Sequence, residues 1–150
     1  MNICSLFGHS NAPLTIKGEL RKAIIQSIEE YKVELFFIGE KGTFDEMTVS
    51  ILEELKGEYD FDYMVFISYT DNIKRANIYK GDRYYTTFPK RSALAPPIYA
   101  VCYHNKWVVK QSDVVISYVN SLWGNAARYV LMAKQMNKRI INIAKPTSNK

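Results

Sequence analysis

The chain is poor in the residues that usually staple or ligate. Its 150 residues include two cysteines, Cys4 and Cys102. Each lies in an apolar run, with no zinc-type spacing and no disulfide framework. Buried, reduced thiols and no metal or cofactor are therefore expected. No stretch reaches about 18 apolar residues, so no membrane-spanning helix is expected. The first residues carry no basic segment followed by a long apolar one, and a cytoplasmic protein is expected on that ground. No internal repeat, no low-complexity segment and no second domain can be discerned. What is present is an ordinary globular composition, 47% hydrophobic and 23% charged. That predicts a single domain over residues 1–144, with a frayed tail at 145–150. The net charge of +5 either helps an anionic ligand approach or reflects nothing more than a solvated basic surface. The 11 Tyr, 7 Phe and 2 Trp suit a core or a flat binding surface.

The apolar pattern alternates between strand and helix signals. Asn2 to Phe7 is a short apolar run closed by Gly8, and it reads as the first strand. Ile16 to Tyr31 has helical spacing, with Leu20, Ala23, Ile24, Ser27 and Ile28 on one face and Thr15 as its cap. Glu34 to Ile38 reads as strand two, and Thr43 to Lys56 as a helix closed by Gly57. Asp62 to Tyr69 holds strand three. From Thr70 to Pro97 the pattern breaks into a basic, aromatic segment, with a short helix expected near Asp71 to Ile78. Pro96-Pro97 introduces a helix from about Ile98 to Gln111. Val114 to Val119 is strand four. It lacks polar alternation, so both its faces should be covered, as in a parallel sheet. The loop through Leu122-Trp123-Gly124-Asn125 starts another helix, and Arg139 to Ile143 is strand five.

Five strands separated by helices predict an α/β fold, a three-layer parallel sheet with helices on both faces. With strand order 3-2-1-4-5, strands one and four are central neighbours whose connections leave in opposite directions. Ligands in open α/β sheets bind at such a switch point, outside the C-terminal ends of the strands. The loops after strands one, two and four are then the candidate site. A helix starting from a small-residue, glycine-bearing loop offers free backbone N–H groups at the positive end of its dipole, which favours an anion.

The ordered motifs resemble the SLOG superfamily of Rossmann-like proteins, which includes the Lonely Guy phosphoribohydrolases and DNA-processing protein A. The resemblance is nearest to a SLOG family of Firmicutes and their phages. It is carried by Leu6-Phe7-Gly8-His9, Gly39-Glu40-Lys41-Gly42-Thr43-Phe44-Asp45, Pro96-Pro97, Asn105-Lys106-Trp107-Val108-Val109, Ser112-Asp113 and Trp123-Gly124-Asn125-Ala126, and it spans nearly the whole chain. Three positions depart from the family pattern. Ser10 and His104 stand where arginine is common, which removes two bidentate anion contacts. Asn125 replaces a second glycine. The Pro-Gly-Gly-x-Gly-Thr-x-x-Glu motif of the phosphoribohydrolases is absent, and no carboxylate follows Gly124 in the loop or first turn.

The candidate ligand-binding residues are Gly8, His9, Ser10, Gly39, Lys41, Gly42, Thr43, Asp45, Asn105, Ser121, Trp123, Gly124 and Asn125. Most carry two readings. Gly8 allows a close phosphate approach or serves a turn. His9 donates to phosphate or base, or makes a loop hydrogen bond. Gly39 and Gly42 face phosphate, as the resemblance to DNA-processing protein A implies, or shape a turn. Asp45 meets a ribose hydroxyl or favours a helix dipole, and the Glu40, Asp45 and Glu46 group is an acid/base set or a solvated helix start. Asn105 enters by the resemblance. Ser121, Gly124 and Asn125 form the expected phosphate loop. Trp123 stacks on a base or plugs the core. Trp107 is read as core or subunit interface, and Asp113 as a structural anchor.

The function expected is binding of a nucleotide or nucleotide-derived signal, ADP-ribose-containing compounds included, for sensing or sequestration. Two alternatives stand beside it. One is a nucleotide hydrolase using His9, Asp45 or Glu46; no catalytic residue is assigned. The other is single-stranded DNA binding through Lys74 to Arg91, a segment that also reads as a lid or a solvated loop. The resemblance implies a homodimer or higher homo-oligomer, with Trp107 and Met132 as contact residues.

Overall fold

The computed structural model describes residues 1–39, 42–65 and 106–144. Within them, β1 (Asn2–Gly8) is followed by α1 (Lys17–Glu29), β2 (Val33–Ile38), α2 (Gly42–Leu55) and β3 (Asp62–Val65). A helical stretch at 106–111, here α3, precedes β4 (Val114–Tyr118), α4 (Asn125–Gln135) and β5 (Arg139–Asn142). The five strands form one sheet in the order β3-β2-β1-β4-β5, and all four pairings are parallel. This is the α/β architecture and strand order that the sequence predicts.

The layers follow from strand alternation. Cys4 and Leu6 of β1, Phe36 and Ile38 of β2, and Val114 and Ile116 of β4 face one side. There they pack with Leu20 and Ile24 of α1 and Met47, Ile51 and Leu52 of α2. Val115 faces the other side, against Val109 of α3 and Tyr129, Val130 and Ala133 of α4. Phe37 packs with Val108 on that same second face. From β1 the chain steps one way through α1 and α2. From β4 it steps the other way through α4. Opposite directions with one crossover hand require opposite faces, and that is the division seen.

Asp113 has the structural role expected of it. Its carboxylate accepts a hydrogen bond from the Ile3 amide at 2.9 Å, and its own amide donates to the Ile3 carbonyl at 2.7 Å. The base of β4 is thereby fixed against β1. Thr15 does not cap α1. It lies in a 3-10 turn, Leu14–Ile16, that runs straight into the helix, and Ile16 occupies the N-cap in αR geometry without a side-chain bond. Pro13, with φ −72° and ψ 147°, supplies the extended residue one turn earlier. The expected continuation of strand three to Tyr69, the helices at 71–78 and 98–105, Cys102 and the 145–150 tail lie outside the described residues. No helix among the described residues is long and apolar enough to cross a membrane.

Candidate functional site

Because the sheet is parallel, the loops after β1, β2 and β4 leave the same edge, and β1 lies between the other two strands. The β1 loop joins all three. Its Ser10 carbonyl accepts the Thr43 amide at 2.8 Å, which ties it to the start of α2. The His9 amide donates to the Tyr118 carbonyl at 3.2 Å, and His9 Nε2 accepts the Asn120 amide at 3.3 Å. The His9 ring also stands edge-on to Tyr118, with centroids 6.1 Å apart. An Nε2 that accepts leaves the proton of the neutral ring on Nδ1. His9 therefore makes the loop hydrogen bond, and Nδ1–H is its remaining donor.

The glycines divide by cause. A Cβ on Gly8 would fall within the Phe44 ring, 2.6 Å from Cδ2 and closer to Cγ. Gly42 has φ +90°, and a Cβ there would lie 2.6 Å from the Ser10 Cα. Both positions are thus held by packing of the chain on itself. A Cβ on Gly39 would sit 2.9 Å from Asp45 Oδ2, so the Asp45 carboxylate folds back over the end of β2. Gly124 differs from all three. Its φ of +97° and ψ of 169° fall in a region that other residues rarely adopt, yet no atom of the described residues lies within 4 Å of the Cβ position.

The β4 loop is the open part of the site. Residues 120–125 are all exposed. The Ser121 hydroxyl accepts the Trp123 amide at 3.1 Å, a local turn that sets the direction of the loop. Trp123 is 82% exposed and Leu122 93%. The reading of Trp123 as a core plug is therefore wrong. The reason is local: Gly124 turns the chain into α4 one residue later, and the first buried residues of that helix are Tyr129 and Val130. Trp107 is 36% exposed and stacks on the buried Phe37 with centroids 5.7 Å apart, so it covers the outside of the core instead of lying within it.

The helix starts at this edge are not equivalent. The first turn of α1 carries Glu19 and that of α2 carries Asp45. The first turn of α4 carries no acidic residue, and its N-cap, Gly124, supplies no side-chain bond to the free amides. An anion at α2 would face the Asp45 carboxylate. Among the described residues, an anion at α4 would meet backbone N–H groups with no carboxylate in the first turn.

The structure thus brings together Gly8, His9, Ser10, Gly42 and Thr43 by direct contact, with Gly39 and Asp45 beside them. Ser121, Trp123, Gly124 and Asn125 continue from Asn120, which is bonded to His9. Lys41, Asn105, Glu40 and the segment Lys74 to Arg91 lie outside the described residues. Sequence reasoning missed Tyr118, Asn120 and Asn142, which hold the β4 loop in place. Tyr118 and Asn120 sit where strand four ends, and that position was the available signal; Asn142 carried none. Among the described residues no group of three or more His, Cys, Asp or Glu could hold a metal. No protein-family model matches this sequence, and no curated protein matches it.

Proposed function

We propose that the protein binds a nucleotide or nucleotide-derived signal, ADP-ribose-containing compounds included, at the edge of the sheet between β1 and β4. One observation carries the reading. The loop from Asn120 to Gly124 presents an exposed indole next to an uncapped helix start without carboxylates, and His9 holds that loop. A phosphate suits the α4 amides, and an aromatic base suits the Trp123 face. Asp45, over the neighbouring strand end, would meet a ribose hydroxyl. Binding without turnover is favoured over hydrolysis. Of the acid/base candidates, His9 already uses Nε2 to hold the β4 loop, Glu46 lies on the exposed side of α2, and Asp45 lies over the end of β2, with β1 between it and β4.

The test is calorimetry against AMP, ADP, ATP and ADP-ribose, followed by chromatography of the recovered compounds. At least one nucleotide should bind and be recovered unchanged. Trp123→Ala should weaken that binding by about 5- to 150-fold, the equivalent of losing one base–aromatic stack of roughly 1–3 kcal/mol. It should leave thermal stability alone, because the side chain is exposed. Gly124→Asp should abolish binding by placing a carboxylate at the phosphate position. If no nucleotide binds, or if both variants bind as wild type does, the reading fails. Release of base or phosphate would replace it with the hydrolase.

A further inference from the structure

The hydrogen bonds between β4 and its neighbours do not stop where the strands do. Backbone pairing with β5 runs through Ser117 opposite Asn142, and the Ile143 amide adds one more bond to the Ser117 carbonyl at 2.8 Å. Beyond that point side chains take over. Asn142 Oδ1 accepts the Val119 amide at 3.2 Å, and Asn142 Nδ2 donates to the Val119 carbonyl at 3.1 Å. The carboxamide thus stands in for a peptide group of β5 and extends the ladder by one residue. Its Oδ1 also accepts the Ala144 amide at 3.2 Å, which fixes the side chain relative to its own backbone. On the opposite edge of β4 the His9 imidazole does the equivalent for Asn120. Two consecutive loop residues are therefore gripped from opposite sides, by side chains from β5 and from the β1 loop.

We propose that Asn142 is a positioning residue for the candidate site, holding the β4–α4 loop so that Trp123 and the α4 amides face one ligand. It touches no ligand itself. The inference rests on the nucleotide-binding reading for its ligand arm and on the Val119 geometry for its structural arm. Few other side chains suit the place. The site needs one acceptor and one donor in a planar, peptide-like arrangement, which a carboxamide has and a carboxylate lacks. Asn142→Asp keeps the acceptor for the Val119 amide but sets a second oxygen against the Val119 carbonyl. Asn142→Ala removes both bonds.

Amide hydrogen exchange tests the structural arm. In Asn142→Ala the Val119 and Asn120 amides should exchange about tenfold faster or more, while the Ile116 amide in the middle of β4 keeps its wild-type rate. Asn142→Asp should fall between the two. Titration with AMP and ADP-ribose tests the ligand arm. Affinity should fall in the same order, wild type above Asp above Ala, by about fivefold or more for Ala, with the thermal midpoint of the sheet retained. Unchanged exchange at Val119 and Asn120 overturns the inference. So does faster exchange with undiminished affinity, which would make Asn142 a strand-end fastener only. If the wild type binds neither compound, the functional reading fails and the ligand arm fails with it. The exchange data still decide whether Asn142 orders the loop.

Discussion

Gly8→Ala separates a packing glycine from a ligand-approach glycine. The added Cβ would lie 2.6 Å from Phe44 Cδ2, against an optimum of about 3.5–4.0 Å for two carbons. Phe44 is fully buried between β1 and α2, so its ring cannot swing into solvent. Relief must come from a shift of α2 or of the β1 end. Overpacking of this kind costs about 1–3 kcal/mol, and an overlap of about 1 Å on a caged ring belongs in the upper part of that range. At roughly 2–4 °C per kcal/mol for a chain of this size, the thermal midpoint should fall by about 4–12 °C. Circular dichroism during heating or urea titration reads the change. Gly18→Ala is the control, because Gly18 lies within α1 with nothing near its Cβ position. It should gain about 0.5–1 kcal/mol. Phe44→Leu in the Gly8→Ala background should recover part of the loss, with a coupling of about 0.5–3 kcal/mol. Wild-type stability in Gly8→Ala, or strictly additive single effects, would refute the packing account and return Gly8 to the ligand.

Two further predictions concern buried groups of the sheet. Ser117 is fully buried and its hydroxyl has no hydrogen-bond partner among the described residues. Ser117→Ala should therefore raise stability by about 1 kcal/mol in a urea titration, since it removes an unpaired buried polar atom and little volume; a loss of that size would reveal a bound water. Burial pushes the Cys4 thiol well above its ordinary pKa. The folded state then holds a proton that the unfolded state releases above about pH 8.5, so the contribution is intact below that value and is lost as pH rises past it. Wild type should lose up to about 1.4 kcal/mol per pH unit above pH 9 relative to Cys4→Ala, and parallel stability curves for the two proteins would contradict this.

The sheet was legible because its strands report their surroundings directly. Val114 to Ile116 had to be covered on both faces, and a run of such strands alternating with amphipathic helices leaves few topologies. The 3-10 turn before α1 was not legible, because Thr15 is a good cap by residue type and only the position of Pro13 decides against it. The loop glycines were legible as loops but not as causes. One pattern describes Gly8 pressed by Phe44, Gly42 pressed by Ser10 and Gly124 with open space. The exposure of Trp123 depends on where Gly124 aims the chain, which no periodicity encodes. Asn142 left no trace either, since its partner Val119 is 23 residues away and is met through backbone atoms.

That division of the glycines narrows where a ligand can sit. Gly-rich loops between strand and helix invite a phosphate reading at every occurrence, and the described residues have three. At Gly8 and Gly42 the missing Cβ makes room for the protein's own atoms, so those positions are already filled. At Gly39 the space is taken by the Asp45 carboxylate, which an anion would avoid. Among the described residues, Gly124 alone combines an unusual conformation, open space at its Cβ position and a first helical turn free of acidic residues. Gly8 and Gly42 serve Gly124 indirectly. Phe44 under Gly8 and Ser10 beside Gly42 lock the β1 loop to α2, and His9 in that locked loop holds Asn120. In the proposed function the β1 loop and the start of α2 are then the wall, and phosphate and base contacts would belong to the loop after β4.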